Sequence, residues 1–452
     1  MEQTTKKGSI SYKDYDTKYR LPEQAKDEHL LLTHKHHALC YAPGKGKSYP
    51  VIHAIIQVNK MKQGKAKVLI MSDATCIKEM WRAEIIPQGI LPRETYMVTD
   101  RTAIGAVKDA LIKTNWDIIV VDECQSLRSG VTRAKSKFAK LTYQLCKKTE
   151  YVWGMTGTIA GNNDIEPFCV LHNLHIAGCG DINCHKFKNM YCVKELKYGP
   201  FGAFEVPTKL NDAGNALMKK AYETGCSFWD YNDNDDMPPM DLTIKKFKVP
   251  KTKHYEDALQ GILQCGEFES TVLKAIALQK AQQALNGFLY YDELAVRHTF
   301  AVPEFENPKL KYVVEQAKRA RQIITYRFQE DGHYIKLALE AAGIKYCEKI
   351  SEFKERAGAG EHIMLVLQCA RGKAANLQIC QNIIYYTADF SFINYKQMIH
   401  RCWRRGQTEP CKVIFLVNDP EDEYKVEEKI VKSLYKKQSI HDTLMSIKNK
   451  EV

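Results

Sequence analysis

No apolar run in this 452-residue chain is long enough to cross a bilayer, which excludes a helical membrane span. The opening stretch MEQTTKKGSISYKDYD lacks the apolar centre of a secretion signal. Export is therefore not expected. A cytoplasmic setting is, in a bacterium or, for a viral protein, in its host cell. No internal repeat at a fixed period and no low-complexity tail occur, which argues against a repeat architecture. No CxxC pair occurs either. Cys169, His172, His175, Cys179, Cys184, His185 and Cys192 crowd one stretch, but their spacings fit no common zinc finger, and they are read as structural.

What is present describes an ordinary folded protein, with 44% hydrophobic and 27% charged residues and length for two or three cores. Fifteen cysteines, an odd number scattered along the chain, suit a reducing compartment better than a disulfide framework. The net charge of +12 favours a polyanionic partner such as nucleic acid.

Short β-branched runs alternate with longer helical stretches. In the first half they are HALCYA (37–42), KVLIMS (67–72), ETYMVT (94–99), DIIVVD (117–122) and YVWGMT (151–156). In the second half they are RQIITY (321–326), HIMLVL (362–367), NIIYYT (382–387) and KVIFLV (412–417). This alternation predicts two sets of βαβ units, hence two parallel α/β lobes. Residues 163–306 read differently, with helical patterns and few strand signals.

Four segments carry chemistry. In ALCYAPGKGKSYPVI (38–52), Gly44, Lys45, Gly46, Lys47 and Ser48 precede an apolar stretch, Val51 to Val58, with helical character. Such a loop aims backbone N–H groups at phosphate oxygens, its lysine reaches the β and γ phosphates, and its hydroxyl ligates Mg²⁺. The usual pattern GxxxxGK[ST] is incomplete, since Tyr41 holds the first glycine position. In DIIVVDECQSL, Asp122 and Glu123 leave a buried strand as two adjacent carboxylates with complementary tasks. Asp122 would complete the Mg²⁺ shell, and Glu123 would polarise the water that attacks the γ-phosphate. Thr156, Gly157 and Thr158 follow the next strand and are suited to sensing both nucleotide and a bound strand. Far along the chain, QMIHRCWRRGQ sets Gln397, Arg401 and Arg404 at an expected helix end, the two arginines three apart and so on one face. A forked, permanently charged guanidinium suits transition-state charge.

The order of these segments resembles the superfamily-two helicases, and within them the Swi/Snf-type DNA translocases, over nearly the whole chain. Gln24 in YRLPEQ sits where the family has its adenine-reading glutamine, and GKGKS resembles motif I. LIMSDATCIKEMWRAEI resembles motif Ia, with Trp81 and Glu84 as its W-x-x-E. DECQ stands for the DEAH-like box, and TGTIAGN is similar to TGTPxQN, keeping Thr156, Gly157, Thr158 and Asn162. MPPM (237–240) looks like LPPK and is followed by Tyr255. Lys309 and Leu310 open the second lobe, and GKAANL (372–377) is a degraded GGxGLNL. Gln397 to Gln407 matches QxxxRxxRxGQ at every defining position. Departures occur at Gln125 for histidine, Asp73 for proline, Ile159 and Gly161 in motif III, and Arg371 and Ala374 in motif V.

The resemblance implies two RecA-like lobes with helical protrusions between and around them. It places lobe 1 at residues 1–250, a helical linker at 251–305, and lobe 2 at 306–452. It further implies ATP and Mg²⁺ as cofactors, with Mg²⁺ held through ATP by Ser48 and Asp122, and Glu123, Gln397, Arg401 and Arg404 as catalytic residues. Thr156, Gly157, Thr158 and Gln125 would couple the site to nucleic acid. The expected partner is double-stranded DNA, gripped through its phosphates by a monomer, with no membrane and a protein partner for targeting. Two other functions share these motifs: a strand-separating helicase, and a nucleotide-gated scaffold that no longer turns over.

Overall fold

The computed structural model describes residues 21–446, apart from 133, 160–162, 200–201, 232–236, 267, 272–273, 372–375 and 405. Gly161 and Asn162 of motif III, and Ala374 with most of GKAANL, lie outside the described residues. The chain divides into two compact units, one running to Asp233 and the other spanning Asn234–Ser439.

The first unit begins with α1 (Pro22–His34), β1 (His36–Tyr41), α2 (Ser48–Met61) and β2 (Val68–Ser72). It continues through β3 (Thr95–Thr99), β4 (Ile118–Asp122), α3 (Lys137–Cys146), β5 (Tyr151–Thr156) and α4 (Glu166–Asn173). The hairpin β6 (Cys192–Gly199) and β7 (Gly202–Leu210) follows, then α5 (Asp212–Gly225) and β8 (Cys226–Trp229). Six strands form one sheet in the order β3-β2-β4-β5-β1-β8, and every pairing is parallel. Strands such as β4, Ile-Ile-Val-Val-Asp, are buried along their whole length because the sheet is covered on both faces. One cover packs around Phe168, Leu171 and Val121, the other around Ile52, Trp81 and Val120.

In the second unit come β9 (Met240–Lys248), α6 (Lys253–Gln260), β10 (Ile262–Cys265), β11 (Phe268–Thr271), α7 (Lys274–Leu285), β12 (Phe288–Glu293) and β13 (Val296–Ala301). They are followed by α8 (Pro308–Arg319), β14 (Ile323–Tyr326), α9 (Gln329–Ala341), β15 (Tyr346–Cys347), α10 (Ile350–Gly358), β16 (Met364–Gln368) and β17 (Asn382–Tyr385). The unit closes with α11 (Phe392–Cys402), β18 (Cys411–Asp419) and the start of α12 (Val426–Ser446). Its sheet is also six-stranded and parallel, in the order β15-β16-β14-β17-β18-β9. The expected fold class, two RecA-like α/β lobes, is present in these two sheets.

The middle of the chain holds more strand than its sequence announces. β9 pairs along its whole length with β18, so the second sheet begins at Met240, before the expected boundary at residue 250. Residues 251–305 carry the antiparallel hairpins β10–β11 and β12–β13 beside their helices, where a helical linker was expected. β9, MDLTIKKFK, alternates half-buried and exposed positions as an edge strand does, so it shows no continuous apolar run.

Lys309 is fully buried and is held by four contacts. Its Nζ donates to both carboxylate oxygens of Glu427 (2.9 and 2.7 Å), to Asn286 Oδ1 (3.1 Å) and to the Tyr386 carbonyl (3.1 Å). Glu427 in turn accepts from Asn286 Nδ2 at 2.9 Å and from the Asn418 backbone N–H at 2.7 Å. A satisfied network of this kind fixes α7, α8, β18 and α12 to one another. Lys309→Met should destabilise the second unit by about 3–5 kcal/mol, because Glu427 is left as an uncompensated buried charge. Urea unfolding checks this, and an unchanged midpoint contradicts it.

Candidate nucleotide site

In a parallel sheet all strands end at the same edge, and ligand sites gather there. In the first unit β5 lies between β1 and β4, and the register sets Cys40 opposite Thr156 and Asp122 opposite Met155. The segments that leave these three strands are therefore neighbours: the loop Ala42–Lys47, the carboxylates Asp122 and Glu123, and Thr156–Thr158.

The loop between β1 and α2 turns through two glycines in the left-handed region, Gly44 at φ 93° and Gly46 at φ 73°. Gly46 is also packed tightly, since a Cβ there would sit 2.8 Å from Gln24 Nε2 and 2.9 Å from Tyr49 Cδ2. Gln24, near the start of α1, reaches across to this loop. Its amide nitrogen donates to the carbonyls of Lys45 (3.2 Å) and Gly46 (3.4 Å), while its Oε1 accepts from the Leu21 N–H (3.2 Å). Gly157 closes the loop from the β5 side, because a Cβ there would meet Pro43 Cγ at 2.9 Å. Ser48 opens α2, as phosphate-loop geometry requires.

Asp122 is buried at the end of β4. Its Oδ2 accepts from the Trp81 indole N–H at 3.1 Å, and its Oδ1 accepts from the Glu123 backbone N–H at 2.9 Å. Burial and the neighbouring Glu123 push its carboxyl up to about 7, opposed by the charge of Lys47 and by the Trp81 hydrogen bond. Lys47 thus acts on Asp122 through space, which brings together the loop cation and the strand-end carboxylate. Trp81 is wholly buried on an irregular helical segment with π-type turns, Ile77–Ile85, the kind of distortion that often marks functional positions. Its task of orienting Asp122 was not assigned from sequence, although the W-x-x-E match pointed to the residue.

Glu123 adopts a left-handed backbone at φ 51°, a conformation uncommon outside glycine. That turn directs its side chain toward Gln125, whose Nε2 donates to Glu123 Oε2 at 2.6 Å. The other end of the same amide accepts from Thr156 Oγ1 at 2.6 Å, and Thr156 Oγ1 accepts from the Thr158 N–H at 2.9 Å. A glutamine amide carries a donor and an acceptor at once, so Gln125 joins the carboxylate to the β5 loop in one continuous chain. Gln125→Ala removes that link without touching the phosphate loop. Its expected result is near-normal ATP binding with loss of any stimulation of turnover by nucleic acid, read as the ratio of stimulated to basal phosphate release.

The remaining predicted residues belong to the second unit. Gln397 and Arg401 lie one turn apart on α11, and both are buried, Arg401 at 8% exposure. The helix ends at Cys402 and Trp403 is extended, so Arg404 lies beyond it, and the three-residue spacing is not a helical one. The Arg404 carbonyl accepts from the Gln407 backbone N–H (3.0 Å) and from Gln378 Nε2 (3.3 Å), which sets the turn after the helix. Trp403 Nε1 donates to the Pro238 carbonyl at 2.7 Å, joining the MPPM segment to this region.

Of the Cys/His-rich stretch, Cys169, His172, Cys179 and Cys192 are buried in the first unit, His175 and Cys184 are half-buried, and His185 is exposed. His172 lies between the rings of Tyr143 and Phe168, with Nδ1 3.0 Å from the Cys179 carbonyl and Nε2 3.1 Å from Lys135 Nζ. Burial pushes this imidazole down to about 4, so it is neutral and Nε2 accepts from the lysine.

No family model and no curated protein matches this chain. Among solved structures, it is similar to the SWI2/SNF2 ATPase core of Sulfolobus solfataricus in complex with dsDNA. The two are 17% identical, the match covers 94% of this chain and 92% of that one, and the TM-score is 0.38. A likeness this distant decides nothing about the site; the chain's own residues do.

Proposed function

We propose that the protein is an ATP-dependent motor that couples hydrolysis to movement along duplex DNA. The observation that carries this reading is the joined set at the end of the first sheet: a two-glycine loop with Lys47 and Ser48, the Lys47–Asp122 interaction, and the Glu123–Gln125–Thr156 chain. These donors fit a magnesium nucleotide. Loop N–H groups and Lys47 would hold the phosphates, and the hard oxygens of Ser48 and Asp122 would hold Mg²⁺. The ion, when bound, supplies charge neutralisation at the phosphate oxygens. Glu123 would take the proton of the attacking water, and Gln125 would report that state to the Thr156 loop. Arg401 and Arg404 would supply guanidinium charge to the transferring phosphoryl group, with Gln397 beside them.

Duplex DNA is the proposed track because of the +12 charge together with the resemblance of the motif series. The test is ATPase activity measured in parallel with duplex DNA, single-stranded DNA and RNA. Greatest stimulation by duplex is the expected result, and equal, unstimulated rates with all three contradict it.

A second reading, the same motor separating strands, is favoured by one feature. The β12–β13 hairpin ends in Leu294 and Ala295, both left-handed (φ 50° and 63°), and Leu294 is 95% exposed. A two-residue turn of this type normally uses Asn-Gly, so an apolar pair there is maintained against local strain. Replacing Leu294 and Ala295 by Asn and Gly should relax the turn. On this reading unwinding of a forked duplex is lost while ATPase activity persists; unchanged unwinding removes the hairpin from the mechanism.

A further inference from the structure

β8, at the edge of the first sheet beside β1, brings two aromatic rings to the phosphate loop. Trp229 is in register with Tyr41, and its carbonyl accepts from the Ala42 N–H at 2.8 Å, where the loop begins. Two residues on, the Tyr231 hydroxyl donates to the Pro43 carbonyl at 2.7 Å. Both rings face Lys45, whose Nζ lies 4.5 Å from the Trp229 ring centroid and 4.7 Å from that of Tyr231. The Lys45 side chain is 96% withdrawn from solvent, at 4% exposure, so this contact is formed away from bulk water. The two lysines of GKGKS therefore have different tasks: Lys47 acts on the carboxylate at the end of β4, and Lys45 is turned to the rings of β8.

An aromatic face that attracts a cation also offers a stacking surface to a flat heterocycle. Gln24 meets the same loop at Lys45 and Gly46, so Lys45 is shared between its amide and the two rings, and β8 lies on the opposite side of β1 from β4 and Asp122. A nucleotide whose phosphates lie along the loop toward Asp122 would have its base on the β8 side. We infer that Trp229 and Tyr231 are the nucleobase-contacting residues of this site, with Lys45 occupying their faces until a base replaces its ammonium. This inference rests on the nucleotide-binding reading above and adds the residues that distinguish a nucleotide from bare polyphosphate.

The test is calorimetric titration of the full chain with MgATP and, separately, with magnesium tripolyphosphate. The variants are Trp229→Leu, Tyr231→Leu, Trp229→Phe and Lys47→Ala. Leucine keeps bulk and removes the π face; phenylalanine keeps a ring. Each leucine variant should lose about 5- to 100-fold in ATP affinity, the range for stacking on one aromatic side chain, and change little for tripolyphosphate. Trp229→Phe should recover most of the loss, and Lys47→Ala should weaken both ligands. Should Trp229→Leu prove unstable, Tyr231→Leu, at a half-exposed position, gives the same comparison. If Lys47→Ala weakens both ligands while the leucine variants bind ATP as the wild type does, the base assignment falls and the nucleotide site stands. Equal losses for ATP and tripolyphosphate in the leucine variants also overturn it, since the rings would then act only by holding the loop. Binding of neither ligand by the wild type overturns both readings.

Discussion

Glu123→Gln is expected to bind ATP with near-normal affinity and to lose turnover by about 10²- to 10⁴-fold, the usual worth of a general base. The structure makes this substitution a clean one. The Glu123 backbone N–H, which holds Asp122 Oδ1, is unaffected by the side chain. An amide of the same shape can still accept from Gln125 Nε2, so the chain to Thr156 persists. What disappears is the carboxylate charge, which also acts on Asp122, and with it the capacity to take a proton from water. Equilibrium binding of ATP and single-turnover phosphate release separate the two properties. Near-normal release by the variant would remove Glu123 from its role, whereas absence of release by the wild type as well would revive the reading of a scaffold without turnover.

Removing a guanidinium from the second unit is expected to have an effect of similar size by a different route. Arg404→Ala should reduce turnover by a factor on the order of 10³, the lower range for arginine fingers, with modest loss of nucleotide affinity. Arg401→Ala should do the same but with a stability cost, because Arg401 is largely buried on α11. Arg401→Lys is the informative companion: it keeps the charge and loses the planar fork, so activity should remain low while the unit stays folded. A basic surface helix serving DNA predicts the reverse, with weaker DNA binding and normal turnover at saturating DNA. Wild-type turnover in Arg401→Lys and Arg404→Ala together would remove both arginines from the proposed catalytic set.

Much of the fold can be read from the chain because nine apolar runs coincide with nine sheet strands, β1 to β5, β14 and β16 to β18. The sheet strands that escape such a reading are β8, β9 and β15, and all three lie at sheet edges. An edge strand has one partner and lower burial; β9 alternates, β15 has two residues, and β8 has four. The hairpins β10–β11 and β12–β13 escape that reading for a related reason. Strands outside a two-faced sheet have no call for continuous Val and Ile, and β12, Phe-Leu-Tyr-Tyr-Asp-Glu, shows none.

The site was legible where chemistry fixes residue type at fixed spacing, as in Gly44 to Ser48 and Asp122–Glu123. It was less so where a partner lies far off in sequence. Trp81 meets Asp122 41 residues away, and Tyr231 meets Pro43 188 residues away. Gln125 is instructive in another way. It departs from the histidine of the family motif, yet its amide bonds both Glu123 and Thr156. In the Cys/His stretch, Cys169, His172, Cys179 and Cys192 are buried and serve core packing.

The most direct measurement is phosphate release by the purified chain in magnesium buffer, with and without duplex DNA, beside the Glu123→Gln variant. The account predicts release that rises when duplex is added and nearly vanishes in the variant. Release that ignores DNA and survives Glu123→Gln would contradict it.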